Sequence, residues 1–288
     1  MLRSLLLRRI VLTTIPRRSG TWTGNSMAEE WGSVKLKNLA EQLRFYKPPA
    51  SCWWPKDDMS EEIGGGGVSS HLGVAESVAM RSNSELSAAR KRTQRASVLI
   101  CLFEGSEGDL RVILTKRSGN LSSHSGEVAL PGGKMEEGDV DESETALREA
   151  REEIGLNPSH VKVITTLEPF LSKHLLRVTP VVGLLTNRES FLPVLNPGEV
   201  DAIFDAPLEM FLKNENHRSE EKQWMGFNYT LHHFDFETEN KKFLIWGLTA
   251  GILVRAASII YQKPPEFEEM LPNFAAIQNI VSGSDPEL

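Results

Sequence analysis

Leu130-Pro131-Gly132-Gly133-Lys134-Met135-Glu136-Glu137-Gly138-Asp139-Val140-Asp141-Glu142-Ser143-Glu144-Thr145-Ala146-Leu147-Arg148-Glu149-Ala150-Arg151-Glu152-Glu153-Ile154-Gly155-Leu156 is the stretch that decides the reading of this chain. Asp141, with Glu144 three residues later, forms a capping pair, and Gly155 is placed as a terminating glycine, so the spacing predicts a helix over 142–154. On a wheel of roughly 100° per residue, Glu153 falls about 40° and Glu152 about 60° from Glu149, so all three carboxylates point one way. Leu147, Ala150 and Ile154 make the apolar stripe, and Arg148 and Arg151 flank the acids.

As pure structure the arrangement is poor. Like charges one turn apart cost roughly 0.2–0.5 kcal/mol per pair, and acids in a last turn oppose the helix dipole. A broken local rule of this kind marks a functional site, and a divalent cation would compensate it. Hard oxygen donors alone select Mg²⁺ or Mn²⁺ over Zn²⁺. The competing reading is a solvated Glu-rich face. Pro131-Gly132-Gly133 weighs against it, because two glycines before the helix let the backbone approach a ligand and a glycine carbonyl can add a metal ligand.

Arg148-Glu149-Ala150-Arg151-Glu152-Glu153-Ile154-Gly155-Leu156 resembles the second half of the Nudix box, Arg-Glu-apolar-x-Glu-Glu-x-Gly-apolar, throughout. The first half departs by one residue: Gly133 stands at the box glycine, and Asp139 replaces the usual Glu. That variant resembles the coenzyme A diphosphatase subgroup. Upstream, Ile113-Leu114-Thr115-Lys116-Arg117-Ser118 and Leu121 to Gly133 are similar to the subgroup's signature, with Ser122 in place of Arg and Leu130 in place of Phe. Asn196-Pro197-Gly198-Glu199-Val200 and Ile245-Trp246-Gly247-Leu248-Thr249-Ala250 also look like that subgroup, and the whole chain resembles its plant organellar members.

The resemblance implies hydrolysis of a diphosphate joining a nucleoside to another group. Mg²⁺ or Mn²⁺ is the implied cofactor and CoA or acyl-CoA the implied substrate. Glu149, Glu153, Glu152 and the Gly132 carbonyl are the expected metal ligands, with Glu152 also positioning water and Arg148 orienting Glu152. Gly133 supplies a tight turn at the substrate. Lys116, Arg117 and His124 are the expected substrate contacts, and Glu199 is a possible distal carboxylate. Two rival readings stay open: the same chemistry on ADP-ribose, NADH or an oxidised nucleotide, and a catalytically silent Nudix module that only binds.

Outward from this stretch, strand-like runs cover Val98 to Glu104, Leu110 to Lys116, Val161 to Leu167, Val178 to Leu185, Glu199 to Asp205, Tyr229 to Phe236 and Lys242 to Ile245. Helices are expected at 33–46, 141–154, briefly at 207–212, and at 247–261. The fold class is α+β, and the resemblance makes it an α/β/α sandwich with a mixed sheet between helices. The catalytic domain is expected over 95–265, an accessory helix and glycine-containing linker over 28–94, and a tail over 266–288. Trp246 and the 247–261 helix read as core, apart from Thr249 and Arg255, and His232-His233 sit on opposite strand faces.

Composition sets the outer limits. The 288 residues are 40% apolar and 25% charged, with two cysteines, which excludes a disulfide-stapled module. Cys101 lies in an apolar run and reads as a buried thiol. No run is long and apolar enough for a membrane span, and a formal charge of −7 argues against nucleic acid as partner. Residues 1–27 carry Arg3, Arg8, Arg9, Arg17 and Arg18, no acid, and several Ser and Thr. That is an organellar transit-peptide pattern, mitochondrial before chloroplastic, and initiation at Met27 would give an untargeted form.

Overall fold

The computed structural model describes residues 31–48 and 95–270, apart from 175, 225 and 239. The expectations for the leader, the Met27 start, the linker over 49–94 and the tail beyond 270 lie outside the described residues.

Helix α1 (Val34–Leu43) begins at Ser33, whose side chain accepts the Leu36 N–H, and buries Leu36, Leu39, Ala40 and Leu43. Strands β1 (Arg95–Glu104) and β2 (Leu110–Arg117) form an antiparallel pair. The short β3 (Val128–Ala129) pairs with β2 and β4 (Gly132–Lys134) with β1, which brackets Pro131 and lays the two glycines beside the sheet. Helix α2 (Glu142–Ile154) follows, with Asp141 accepting from the Glu144 N–H and Gly155 in the left-handed conformation at φ 70°. Both ends fall where the capping residues put them.

After α2 come β5 (Val161–Thr166), β6 (Phe170–Leu171), β7 (Arg177–Leu185) and β8 (Val200–Pro207). Strand β7 lies parallel to β1 at the centre of the sheet, whose main path runs β3-β2-β1-β7-β5, and β8 adds antiparallel to β2. A second sheet is built from β9 (His217–Trp224), β10 (Phe227–Glu237) and β11 (Lys242–Trp246). Helix α3 (Gly247–Tyr261) runs on directly from β11.

The sandwich follows from strand periodicity. Along β1, Ile100 and Leu102 join a core with α1 and α3, whereas Leu99, Cys101 and Phe103 join a core with Ala146, Ala150 and Ile154 of α2. Successive side chains point to opposite faces, so a sheet covered on both sides needs a near-continuous apolar run. The Val98–Phe103 run supplies it. Full burial pushes the Cys101 thiol up to about 12, which suits an inert core thiol.

Tyr46 anchors the accessory segment: its hydroxyl donates to Glu168 at 2.6 Å, and Arg255 of α3 pairs with the same carboxylate. The packed body continues past the boundary expected at 265. The ring of Phe267 stacks on His217 at 3.8 Å, and the Met270 N–H donates to the Thr230 hydroxyl at 2.9 Å.

Candidate active site

Helix α2 sorts its three carboxylates by depth. Glu153 is 4% exposed, Glu149 is half-buried and Glu152 is exposed. The Gly132 N–H donates to Glu153 Oε2 at 3.3 Å, and Arg117 of β2 brings Nη1 to within 3.8 Å of Oε1. Burial pushes the Glu153 carboxyl up to about 8; Arg117 and the Gly132 N–H oppose this, and Glu149 and Glu199 add to it. Glu149 is likewise raised, first by burial and then against the pull of Arg148, with Glu152 and Glu199 as repelling neighbours.

Gly132 and Gly133 are glycines for steric reasons. A Cβ on Gly132 would lie 2.3 Å from the Ser97 carbonyl oxygen, and one on Gly133 would lie 2.3 Å from Glu149 Oε1. Real Cβ atoms do not come so close, so the Glu149 carboxylate rests in a hollow that only glycine leaves. The Pro131 carbonyl accepts from Leu99 of β1. The next residue, Gly132, directs its N–H to Glu153, so its carbonyl leaves the same edge of the strand, toward α2.

Arg148 has a larger task than orienting Glu152. Its Nε and Nη2 donate to the two oxygens of Asp139 at 2.9 and 3.0 Å, Nη2 also donates to the Lys134 carbonyl at 3.0 Å, and Nη1 donates to Glu152 at 3.2 Å. Its Nη2 lies 3.1 Å from Glu149 Oε1. The paired Arg148 guanidinium holds the Asp139 carboxyl down at about 2. One arginine therefore ties the loop before α2 to two of the helix acids. The sequence reading missed Asp139 as its partner, although Asp139 already stood out as the box position where Glu is usual.

A cleft of about 520 Å³ opens beside these groups. Arg117, Gly132, Gly133 and Lys134 form the wall shared with the acidic face, and His124 and Glu127 lie on its rim. His124 adopts φ 55°, an unusual conformation for a residue with a side chain, and its Nδ1 is 2.9 Å from Glu127 Oε2. The ring of His174 meets that of His124 edge-on at 6.0 Å. Lys116, expected as a substrate contact, does not line the cleft, whereas its neighbour Arg117 does.

Glu199 precedes β8, and its backbone carbonyl accepts from the Ser118 N–H at 2.8 Å. It is half-buried, and its charge is felt at both Glu149 and Glu153. The fold thus gathers Glu149, Glu152, Glu153 and Glu199 around Arg117, Arg148 and the two glycines, and Arg117 and the glycines also line the cleft. Trp246 and Leu248, read from sequence as core, form another wall at the start of α3 together with Thr249, which was set apart as polar. Their period fits a packed helix, and nothing local marks its first turn as a cleft wall.

Among the described residues no three His, Cys, Asp or Glu side chains stand already at metal-holding spacing. The donor set still suits a divalent cation. It is all oxygen, it includes a buried carboxyl short of compensating charge, and one wall is a cradle that a Cβ would fill.

A mixed sheet packed with helices on both faces thus carries an acidic helix face beside a glycine pair. The NUDIX domain model matches residues 93–246, and the chain belongs to the Nudix hydrolase family. It is 62% identical over 209 residues to Nudix hydrolase 15, mitochondrial, of Arabidopsis thaliana, covering 73% of this chain and 72% of the relative. It is 54% identical over 263 residues to Nudix hydrolase 22, chloroplastic, of the same organism, covering 89% and 83%. It is 35% identical over 178 residues to peroxisomal coenzyme A diphosphatase NUDT7 of Mus musculus, covering 61% and 74%.

Proposed function

We propose that the chain is a Mg²⁺- or Mn²⁺-dependent diphosphatase that hydrolyses CoA and acyl-CoA derivatives to 3′,5′-ADP and 4′-phosphopantetheine or its acyl form. The observation that carries the reading is that Arg117 and the glycine pair touch the α2 acids and also line a largely apolar cleft of about 520 Å³. A diphosphate with a nucleoside on one side and an extended arm on the other matches that combination. The likeness to a coenzyme A diphosphatase at 35% identity points the same way.

Glu149, Glu153 and the Gly132 carbonyl are the residues that would hold the cation, with Glu152 as a further ligand or water-positioning group. Bound there, a divalent ion neutralises phosphate charge and lowers the pKa of a coordinated water. Arg148 positions Glu149 and Glu152 and does not touch substrate. Arg117 and His124 face the phosphates, Gly133 gives them room, and Glu199 is placed to take a proton from the attacking water.

The test is a substrate panel of CoA, ADP-ribose and NADH with the full chain and either metal. Under this reading kcat/KM for CoA exceeds the others by tenfold or more, and a higher value for ADP-ribose or NADH would move the substrate assignment elsewhere. We further assign the chain to mitochondria, on its Arg-rich, acid-poor first 27 residues and its likeness to a mitochondrial relative. Residues 1–28 fused to a fluorescent protein should carry it into mitochondria, and a diffuse or plastid signal would contradict this.

A further inference from the structure

The cleft's far wall holds a polar group that none of the chemistry above uses. His232 of β10 is 2% exposed, and its Nδ1 lies 3.0 Å from Nε2 of His217. Its other nitrogen, Nε2, is buried without a hydrogen-bond partner among the described residues and lies 3.8 Å from Glu269 Oε1. Rings fix the assembly: Phe267 stacks on His217 at 3.8 Å and packs against His232 at 5.2 Å. Burial keeps both imidazoles neutral, pushing His232 down to about 4 and His217 below its ordinary value. The Glu269 carboxyl is itself raised by burial, against the attraction of Arg255.

Both His232 and Glu269 line the cleft, and their neighbours there are Tyr229, Leu231, Leu248 and Met270. Buried polar groups are almost always paired, so a histidine nitrogen without a partner among the described residues, beside a carboxyl in an apolar wall, calls for an explanation. Two hydrogen-bonding groups in an apolar tunnel are what a ligand with widely spaced polar groups on an aliphatic chain would meet. The pantetheine arm of CoA has that chemistry, with two secondary amides separated by methylenes.

We propose that Glu269, beside the buried His217–His232 pair, is a specificity-determining group that accepts a hydrogen bond from an amide N–H of the substrate's extended arm, in the wall of the cleft that β10 and α3 form. This rests on the CoA reading of the site. Glu269 stands beside His232 and is not among the groups that act on Glu149 and Glu153, so its effect falls on binding of the arm.

The test compares CoA with a pentyl ester of 3′-phospho-ADP, which keeps the scissile diphosphate and the nucleotide but has no amide. In the full chain, Glu269→Leu should raise KM for CoA about five- to tenfold, with kcat and the kinetics of the pentyl ester unchanged. Glu269→Gln, whose amide oxygen still accepts, should restore KM for CoA. Unchanged KM for CoA in Glu269→Leu, or an equal rise for both substrates, would overturn the proposal while the CoA reading stands. Absence of CoA cleavage by the unaltered chain would instead overturn that reading, and the proposal with it.

Discussion

Arg148 shows how one side chain serves both folding and chemistry. Its two-pronged grip on Asp139 uses the planar guanidinium fork, which a lysine lacks. Arg148→Lys should cost about 1–3 kcal/mol of stability and lower turnover, as read by chemical denaturation and steady-state kinetics on one preparation. The Asp139 carboxyl, held at about 2 against an ordinary 3.8, contributes stability that is fully present above pH 3.8 and is lost as pH falls toward 2. The stability gap between the unaltered chain and Asp139→Asn should therefore close between about pH 4 and pH 2; a gap constant to pH 2 would show that the ion pair is not its source. Gly133→Ala should cut activity at least tenfold with little change in unfolding midpoint, since the new Cβ would displace the Glu149 carboxylate and touch little else. The α2 acids and the glycines were legible because they lie within one short stretch at helical spacing. Asp139 as the partner of Arg148 was not, because the contact depends on how the intervening loop folds back.

Elements were legible where burial imposes a period. Helix α2 was bounded correctly by its caps, and α3 by its apolar run from Leu248 to Ile260. Strand β9 was missed for a physical reason: His217–Trp224 reads His-Arg-Ser-Glu-Glu-Lys-Gln-Trp, its inner residues are all exposed, and neither face carries an apolar signal. Its strand state comes from pairing with β10 alone. The two- and three-residue strands β3, β4 and β6 are too short for any period to show. The C-terminus of α2 gives an element-level prediction. Gly155→Ala forces a side chain into the left-handed region, with its Cβ 3.0 Å from that of Val194. A loss of about 1 kcal/mol or more in denaturant unfolding is expected, and an unchanged midpoint would mean that the cap relaxes freely.

At the scale of the molecule, three separated parts of the chain close over one sheet. Helix α1 joins the core it shares with α3 through Leu36, Leu39 and Leu43, and Tyr46 bonds the carboxylate that Arg255 pairs with. Each buried leucine contributes roughly 1.5–3 kcal/mol, so deleting residues 31–48 should lower the thermal midpoint by more than about 5 °C. A midpoint unmoved by that deletion would make the helix a bystander. The far wall of the cleft, with His232, Leu248 and Glu269, is assembled only by this closure, which is why local sequence did not disclose it. The acidic face of α2, beside that cleft, is the proposed centre of a metal-dependent diphosphatase. Its most direct test is the full chain incubated with CoA and Mg²⁺, with and without Glu153→Gln, and the products resolved by mass. 3′,5′-ADP and 4′-phosphopantetheine are expected from the unaltered chain, with a loss of about a hundredfold or more in the variant; equal turnover by the two proteins would remove the α2 acids from the chemistry.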